Sequence, residues 1–120
     1  SVAGFRGIPG SGAYSASKAA AINWLEALRV ELRGSGVRVC TICPGFIDTP
    51  MTRVNPYRMP FIMAPDDAAR RMAKVIEGQR AFAVVPWQMS AVGYVLRRLP
   101  AAIYDALSSR SKRKPRGLPT

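Results

Sequence analysis

The sequence predicts an α/β fold: the C-terminal half of a doubly wound parallel-sheet domain with three α/β/α layers. Segments with helical periodicity alternate with two short segments rich in β-branched and apolar residues, and Gly or Pro marks most boundaries between them. The order is helix, strand, loop, helix, strand, helix. Because two strands do not form a stable sheet by themselves, and because the chain begins in Ser-Val-Ala-Gly-Phe without Met, we expect a fragment with further strands upstream.

The first helix is predicted from Tyr14 to about Arg33, a stretch without Gly or Pro. Gly34 and Gly36 end it. Its apolar residues recur at helical spacing, at Ile22, Leu25, Leu28 and Leu32. A second apolar stripe contains Ala20, Trp24 and Ala27. The second stripe packs either against a partner subunit or against another helix of the same chain.

The segment from Val37 to Cys43 is predicted as a buried parallel strand, because it is short, rich in β-branched residues and apolar on both faces. Pro44-Gly45 ends it. Cys40 and Cys43 have the Cys-x-x-Cys spacing of redox pairs and zinc sites, but the sequence has no His and no other Cys to complete a metal shell. We interpret both as inert core thiols and predict no metal site.

The second predicted helix begins at Pro65, since proline suits a first helical turn and the carboxylates of Asp66 and Asp67 favour the positive end of the helix dipole. Gly78 ends it, and a second strand follows over Ala81–Pro86. The predicted buried stripe of this helix is Ala69, Met72, Ala73 and Ile76.

The last helical segment runs from Gln88 to Leu107 and is expected to break or kink at Pro100. Its apolar positions at helical spacing are Met89, Val92, Leu96, Leu99, Ile103 and Leu107. We assign residues 1–107 to one domain and residues 108–120 to a basic, flexible tail.

The charge is strongly basic, with 18 Lys and Arg against 7 Asp and Glu. Five of the basic residues lie in the last 13 residues, so the rest of the chain has 13 basic and 7 acidic residues. No apolar run approaches the roughly 20 residues that span a bilayer, and the N-terminal residues lack a signal-peptide pattern. A cytoplasmic protein is the simplest interpretation.

Tyr14 and Lys18 are the residues that carry chemistry, because positions four apart lie on one face of a helix. A neighbouring ammonium and the positive helix end both favour a phenolate, which makes the pair a tuned acid and base. Small residues surround the pair and would let a flat ligand approach: Gly12, Ala13, Ser15, Ala16, Ser17 and Ala19. Tyr-x-x-x-Lys alone is also compatible with an ordinary amphipathic helix start.

Two further elements stand at linked distances from this pair. Ser1 lies thirteen positions before Tyr14, and Pro44-Gly45-Phe46-Ile47-Asp48-Thr49 follows the next predicted strand. In this order and spacing, from Ser1 to about Trp87, the chain resembles the short-chain dehydrogenase/reductase (SDR) family. The resemblance implies a Rossmann-type fold and an NAD(P)-dependent oxidoreductase that interconverts an alcohol and a ketone or aldehyde.

The resemblance also implies a role for each matching residue. Ser1 would hydrogen-bond the substrate oxygen, Tyr14 would transfer the proton on that oxygen, and Lys18 would hold the ribose hydroxyls of the cofactor. Pro44 and Gly45 would let the backbone pass close to the nicotinamide. Ile47 would bond the carboxamide through its main chain, and Thr49 would offer its hydroxyl near the carboxamide or pyrophosphate.

The Gly-rich phosphate loop of the SDR family, its catalytic asparagine and the residue that selects NAD or NADP have no counterpart in this sequence. All three would lie upstream of Ser1, in a dinucleotide-binding half, so the choice between NAD and NADP is not readable. We expect the whole protein to be active and these 120 residues alone to be inactive. The resemblance further implies a homodimer or homotetramer formed through the first helix.

The segment between Thr49 and Pro65 corresponds to the substrate loop of the SDR family. Its large side chains, which predict an apolar substrate, are Met51, Tyr57, Met59, Phe61, Ile62 and Met63. The same residues would also serve simply to pack the loop onto the domain.

The C-terminal segment leaves two interpretations open. Its apolar stripe with Arg97, Arg98 and the basic tail is typical of a helix in weak contact with an anionic membrane surface; the other interpretation is a helix that covers the substrate pocket, followed by a solvated tail. A non-enzymatic basic protein that binds lipid or nucleic acid is the alternative function. Against nucleic acid, no recognised motif or aromatic-interleaved basic patch accompanies the charge.

Overall fold

A computed structural model of the chain describes residues 1–56 and 58–110. It contains two strands, β1 (Thr41–Pro44) and β2 (Phe82–Val85), which form a parallel sheet. A short 3-10 helix (Val2–Gly4) comes first. The α-helices are α1 (Gly12–Glu31), α2 (Pro50–Arg53), α3 (Pro65–Glu77), α4 (Gln88–Arg98) and α5 (Ala101–Ser108). The predicted alternation of helices and strands is confirmed, and α2 is an additional element.

The sheet register sets Thr41 opposite Phe82 and Pro44 opposite Val85. Helix α3 contacts both strands, α1 contacts β1, and α4 contacts β2. Beyond the sheet, Ile47 and Met63 form an isolated parallel bridge that continues in the direction of the strands. The described part of the chain is therefore an α/β unit whose helices cover two adjacent parallel strands.

The main core cluster lies between α3 and β2. Its buried members are Met63, Ala68, Val75, Ala83 and Val85, with Cys40, Ile42, Ile47 and Met72 packed against it and half-buried. Burial of these apolar side chains is the main contribution that holds α3 on the sheet, at about 25 cal/mol for each Å² removed from water.

Helix α1 ends at Glu31, two residues before the predicted limit, and the turn that follows contains Gly34 and Gly36 with positive φ angles of 86° and 87°. That region of φ suits glycine because a Cβ is disfavoured there. The predicted core stripe of α1 is half-buried, whereas Trp24 in the second stripe is 64% exposed. One side of α1 thus lacks a cover among the described residues.

Strand β1 is shorter than the predicted Val37–Cys43. Only Thr41 to Pro44 pair with another strand, and Val37 is 58% exposed. A strand extends only as far as a partner accepts and donates its ladder hydrogen bonds, and β2 offers four residues. The pairing partner, rather than the β-branched composition, sets the length of β1 here.

The predicted bounds of α3 are confirmed, but of its predicted buried stripe only Met72 packs against the core. Ala68 and Val75 are buried, whereas Ala69, Ala73 and Ile76 are exposed. Two apolar sets with the same helical spacing lie one residue apart in this helix, so they differ by about 100° around the axis. The set that contains Ala68 and Val75 is the one that packs against β2 in the tertiary structure.

The predicted break at Pro100 is confirmed, since α4 ends at Arg98 and α5 begins at Ala101. Of the predicted apolar stripe, Met89 is buried, but Ile103 and Leu107 are about half exposed. The predicted tail falls mostly outside the described residues. None of the helices in the described ranges is both long and apolar enough to cross a membrane.

Candidate active site at the carboxyl end of the first strand

Tyr14 and Lys18 lie in the first two turns of α1, as the spacing predicts. The Lys18 ammonium lies over the Tyr14 ring, with Nζ 5.4 Å from the ring centroid. Tyr14 is 52% exposed and Lys18 is half-buried. The phenol therefore stands at the surface of the helix, next to a cation and near the positive end of the helix dipole.

Ser1 lies beside the same helix and beside β1. Its Oγ accepts a hydrogen bond from the Ala3 N–H at 3.2 Å, which caps the 3-10 helix. The Ser1 backbone nitrogen lies next to the Cys43 thiol and within electrostatic range of the Lys18 ammonium. Ser1 therefore lies near both Lys18 of α1 and Cys43, the third of the four residues of β1.

Cys43 is fully buried beneath this site, and burial raises the pKa of its thiol. Cys40 is half-buried, and both cysteines are free. A raised pKa keeps a thiol protonated and unreactive at neutral pH. The interpretation as core thiols agrees with this environment, and residues 1–56 and 58–110 contain no cluster that could hold a metal ion.

The small residues next to Tyr14 also allow the segment after Ser1 to pack closely on α1. Ser15 is buried, and its Oγ accepts a hydrogen bond from the Ile8 N–H at 3.3 Å. A Cβ on Gly4 would lie 2.9 Å from the carbonyl carbon of Lys18 and 3.0 Å from the Ala19 nitrogen. The segment after Ser1 therefore rests directly on the backbone of α1, and only Gly fits there.

The loop after β1 begins with Pro44 and Gly45. The Gly45 N–H donates to the Val85 carbonyl at 2.7 Å, which extends the pairing with β2 by one residue. A Cβ on Gly45 would lie 2.9 Å from Cγ of Met89 and 3.4 Å from Cδ of Pro86. The packing of α4 on the sheet thus already requires glycine at this position, independently of a ligand.

Ile47 and Thr49 are joined by a residue that the sequence analysis did not select, Thr52. The Thr52 hydroxyl donates to the Ile47 carbonyl at 2.6 Å and accepts from the Thr49 N–H at 3.0 Å. In return, the Thr49 hydroxyl accepts from the Thr52 N–H at 3.4 Å and caps α2. The sequence signal for this arrangement is Thr49 followed by Pro50, a capping residue before a proline at the first helical position.

The predicted substrate-loop residues divide into two groups. Met51 is 76% and Phe61 is 50% exposed, whereas Met59 is half-buried and receives a hydrogen bond from Asn55 Nδ2 at 3.7 Å. Met63 is buried in the core cluster, so for this residue the packing interpretation is right. Tyr57 lies outside the described residues.

A cavity of about 540 Å³ lies elsewhere, among residues that include Arg29, Arg33 and Arg38 at the C-terminal end of α1. Fifteen residues of helix separate Arg29 from Tyr14, which corresponds to about 22 Å along the axis. The chemistry suggested by Tyr14 and Lys18 is therefore remote from this cavity.

Comparison with known proteins identifies a family. The sequence pattern of the family described as short chain dehydrogenase matches residues 1–58, the part that holds Ser1, Tyr14, Lys18 and the loop after β1. The chain belongs to the SDR family. Its predicted fold class, a Rossmann-type α/β domain, is that of this family.

Several SDR relatives are similar over longer or shorter stretches. An uncharacterized oxidoreductase of Myxococcus xanthus is 44% identical over 110 residues, which is 92% of this chain and 44% of that protein. The ketoacyl reductase HetN of Nostoc is 36% identical over 89 residues, 71% of this chain and 31% of that protein. The 3-oxoacyl-[acyl-carrier-protein] reductase FabG of Chlamydia trachomatis is 47% identical over 53 residues, 44% of this chain and 21% of that protein.

The chain spans less than half the length of these relatives. No solved structure gives a significant match.

Proposed function

We propose that the protein containing this chain is an NAD(P)-dependent SDR oxidoreductase that interconverts an alcohol and a ketone or aldehyde. Two observations support the proposal: the Lys18 ammonium lies 5.4 Å from the Tyr14 ring centroid, and Ser1 lies near both Lys18 and Cys43 of β1. Ligands of open parallel sheets bind outside the carboxyl ends of the strands.

The donor set fits a nicotinamide dinucleotide. Lys18 makes no ion pair within residues 1–56 and 58–110, so its ammonium retains donors for ribose hydroxyls. The Ile47 N–H has no hydrogen-bond partner in the same ranges and would serve the carboxamide. Pro44 and Gly45 would border the nicotinamide. The Thr49 hydroxyl, which accepts a hydrogen bond from the Thr52 N–H, would donate its own hydrogen to the carboxamide or pyrophosphate. When bound, the cofactor supplies or accepts the hydride.

Tyr14 transfers the proton to and from the substrate oxygen. In the reducing direction its hydroxyl donates a proton to the carbonyl oxygen as hydride reaches the carbon, and the phenolate that remains is stabilised by the Lys18 ammonium and the helix dipole. In the oxidising direction the phenolate takes the proton back. The 52% exposure of Tyr14 leaves its ring accessible to a substrate.

Ser1 orients the substrate oxygen. Its Oγ accepts from the Ala3 N–H, and the hydrogen of its own hydroxyl remains free to be donated to that oxygen. A donor on one side of the oxygen and Tyr14 on another hold the reacting atoms in line, which lowers the entropic part of the barrier.

The substrate class that we propose is an oxo or hydroxy group on an apolar chain. Met51, Phe61 and Ile62 offer exposed apolar surface in the substrate loop. The relatives named ketoacyl reductase and 3-oxoacyl-[acyl-carrier-protein] reductase act, by their names, on oxo groups of acyl chains.

The test uses the whole protein, as wild type and as Tyr14→Phe, which removes the hydroxyl and keeps the ring. NAD(P)H oxidation is followed with 3-oxoacyl thioesters, apolar ketones and small polar carbonyl compounds, and cofactor binding is measured separately. We expect kcat to fall about 10²- to 10⁴-fold with cofactor binding intact. Tyr94→Phe is the matched control, because Tyr94 is an exposed tyrosine of α4 that stacks on Arg98.

Equal activity of wild type and Tyr14→Phe would refute the mechanism. A preference for small polar carbonyls would refute the apolar substrate class alone. If the protein bound no NAD(P)H but bound nucleic acid with an affinity that fell steeply with salt, or bound lipid, the non-enzymatic alternative would replace the enzyme.

Oligomerisation through α1 is part of the proposal. Trp24 is 64% exposed on the side that carries Ala20 and Ala27, and a large exposed apolar side chain between small ones suits close helix packing. We expect Trp24→Glu to reduce the mass of the whole protein in light scattering. Val30→Glu, at a 58% exposed position elsewhere on α1, is the control, and equal masses of both variants would contradict this interface.

Weak membrane contact of the C-terminal segment also stays a prediction. Tyr94 and Val95 are more than half exposed next to Arg97 and Arg98 at the end of α4. We expect co-sedimentation with anionic but not with neutral liposomes, and less of it after removal of residues 108–120. Unchanged sedimentation after that removal would reject the contribution of the tail.

A further inference from the structure

We propose that the C-terminal helices α4 and α5 hold the segment that carries Ser1 in its place, with Arg6 and Tyr104 as positioning residues for the reaction. This inference rests on the proposed function. It arises from contacts between residues 90 or more positions apart, and the sequence analysis selected neither Arg6 nor Tyr104.

Arg6 binds the C-terminal end of α4. Its Nη1 donates to the Leu96 carbonyl at 2.5 Å and to the Leu99 carbonyl at 2.6 Å. The last carbonyls of a helix have no partner within the helix and carry the negative end of its dipole. A guanidinium suits this position because its several donors can bond the free carbonyls and its permanent positive charge faces the negative end of the dipole.

Tyr104 contacts the same segment from α5. Its ring lies 4.0 Å from the guanidinium carbon of Arg6, which is a cation–π distance, and its hydroxyl donates to the Gly7 carbonyl. Arg6 thereby contacts both the end of α4 and the Tyr104 ring of α5. Because Pro100 breaks the helix between Leu99 and Ala101, α5 can turn Tyr104 toward Gly7.

The neighbouring contacts extend this attachment toward Ser1. A Cβ on Gly93 of α4 would lie 2.5 Å from Cδ2 of Phe5, so the Phe5 ring sits directly on the α4 backbone, and it also contacts the Phe82 ring at 6.3 Å between centroids. On the other side, Gly4 lies on the backbone of α1 at Lys18. The segment is therefore held between the helix that carries Tyr14 and the two C-terminal helices.

This arrangement bears on the chemistry because few hydrogen bonds in the described ranges hold the Ser1 hydroxyl itself. Its hydroxyl bonds only the Ala3 N–H two residues away. The distance between the Ser1 hydroxyl and the Tyr14 hydroxyl then depends on where Phe5, Arg6 and Gly7 are anchored. Loss of an anchor would leave Tyr14 and Lys18 in place and let Ser1 move, and small displacements of a donor reduce the rate strongly.

The test uses the whole protein with Tyr104→Phe, which removes the hydroxyl bonded to Gly7 and keeps the ring over Arg6. We expect kcat to fall about three- to ten-fold, as for the loss of one hydrogen bond, with NAD(P)H binding unchanged. Tyr94→Phe on α4 is the matched control and should keep the wild-type kcat. Arg6→Lys, which keeps the charge but loses the planar guanidinium stacked on the Tyr104 ring, should lower kcat as well.

A double-mutant cycle separates positioning of Ser1 from a general structural effect. If Tyr104 acts through Ser1, Tyr104→Phe lowers kcat in the wild-type background and has no further effect on kcat in a Ser1→Ala background. An equal loss in both backgrounds, or no loss in the wild-type background, would overturn the proposal.

A second measurement does not depend on activity. Trypsin cleaves after arginine, and the Arg6–Gly7 bond lies at the anchor, so Tyr104→Phe should speed cleavage at this bond about three- to ten-fold while Tyr94→Phe leaves it unchanged. Unchanged cleavage in Tyr104→Phe would overturn the anchor. Faster cleavage in a protein without any oxidoreductase activity would support the anchor and refute the proposed function instead.

Discussion

The segment from Ser1 to Ile8 and the loop from Thr49 to Met63 are both proposed to face the bound reactants, but they are held in different ways. The first segment is tied to α1, which follows it closely in sequence, and to α4 and α5, whose contacting residues are 90 or more positions away. The second relies mostly on neighbours within five residues, such as the Thr49–Thr52 pair and the Asp48–Arg53 ion pair, until Met63 enters the core. Proton transfer needs fixed geometry, whereas a substrate loop can adapt.

Among the predictions that test this contrast, the largest effect is expected from a substitution at Gly4. A Cβ there would lie 2.8 Å from Cδ1 of Ile22 as well as against the Lys18 backbone, and a helix backbone cannot yield without moving Tyr14. We expect Gly4→Ala to lower the free energy of unfolding of the whole protein by about 1–3 kcal/mol and to reduce kcat. Denaturant titration measures the first quantity.

Gly12→Ala is the matched control for this prediction, because within residues 1–56 and 58–110 a Cβ at Gly12 would meet no atom closer than 4 Å apart from its chain neighbours and the backbone of α1. Equal unfolding free energies for the Gly4→Ala and Gly12→Ala proteins would show that the first segment tolerates displacement. The proposed contrast with the substrate loop would then be lost.

A substitution at Thr52 tests the local hydrogen bonds that hold the loop from Thr49 to Met63. Thr52→Val removes the hydroxyl that joins the Ile47 carbonyl to the Thr49 N–H. Loss of this local support is expected to cost about 1 kcal/mol, which corresponds to about a five-fold weaker affinity for NAD(P)H, with kcat at saturating cofactor nearly unchanged. Titration of the protein with NAD(P)H gives the affinity. Thr52→Ser should behave like wild type, and a Ser variant as weak as the Val variant would contradict the hydrogen-bond argument.

The smallest effect is expected at Met51, which is 76% exposed. Met51→Ala should change the free energy of unfolding by no more than about 0.5 kcal/mol. Loss of apolar contact should raise KM about three-fold for a carbonyl compound with an apolar chain and leave KM for a small polar carbonyl unchanged. Steady-state kinetics with the two substrates checks this, and an equal change for both would argue against a role in substrate binding.

Much of the local structure was predictable from the sequence. The start of α3 at Pro65, its end before Gly78 and the interruption at Pro100 follow from backbone chemistry that acts within a few residues. The facing of Lys18 and Tyr14 follows from helix geometry alone. The buried stripe of α3, except Met72, and the length of β1 were predicted wrongly, because each depends on what the element packs against or pairs with.

The sequence by itself determined the family, the helix that carries Tyr14 and Lys18, and the loop that follows β1, since each depends on fixed spacings along one chain. Only the tertiary structure decided that Arg6 meets the end of α4, that Tyr104 reaches Gly7, and that Gly4 lies on the backbone of α1. The physical reason is that these contacts join residues with no periodic relation in sequence. Packing selects such partners only once the helices are assembled on the sheet.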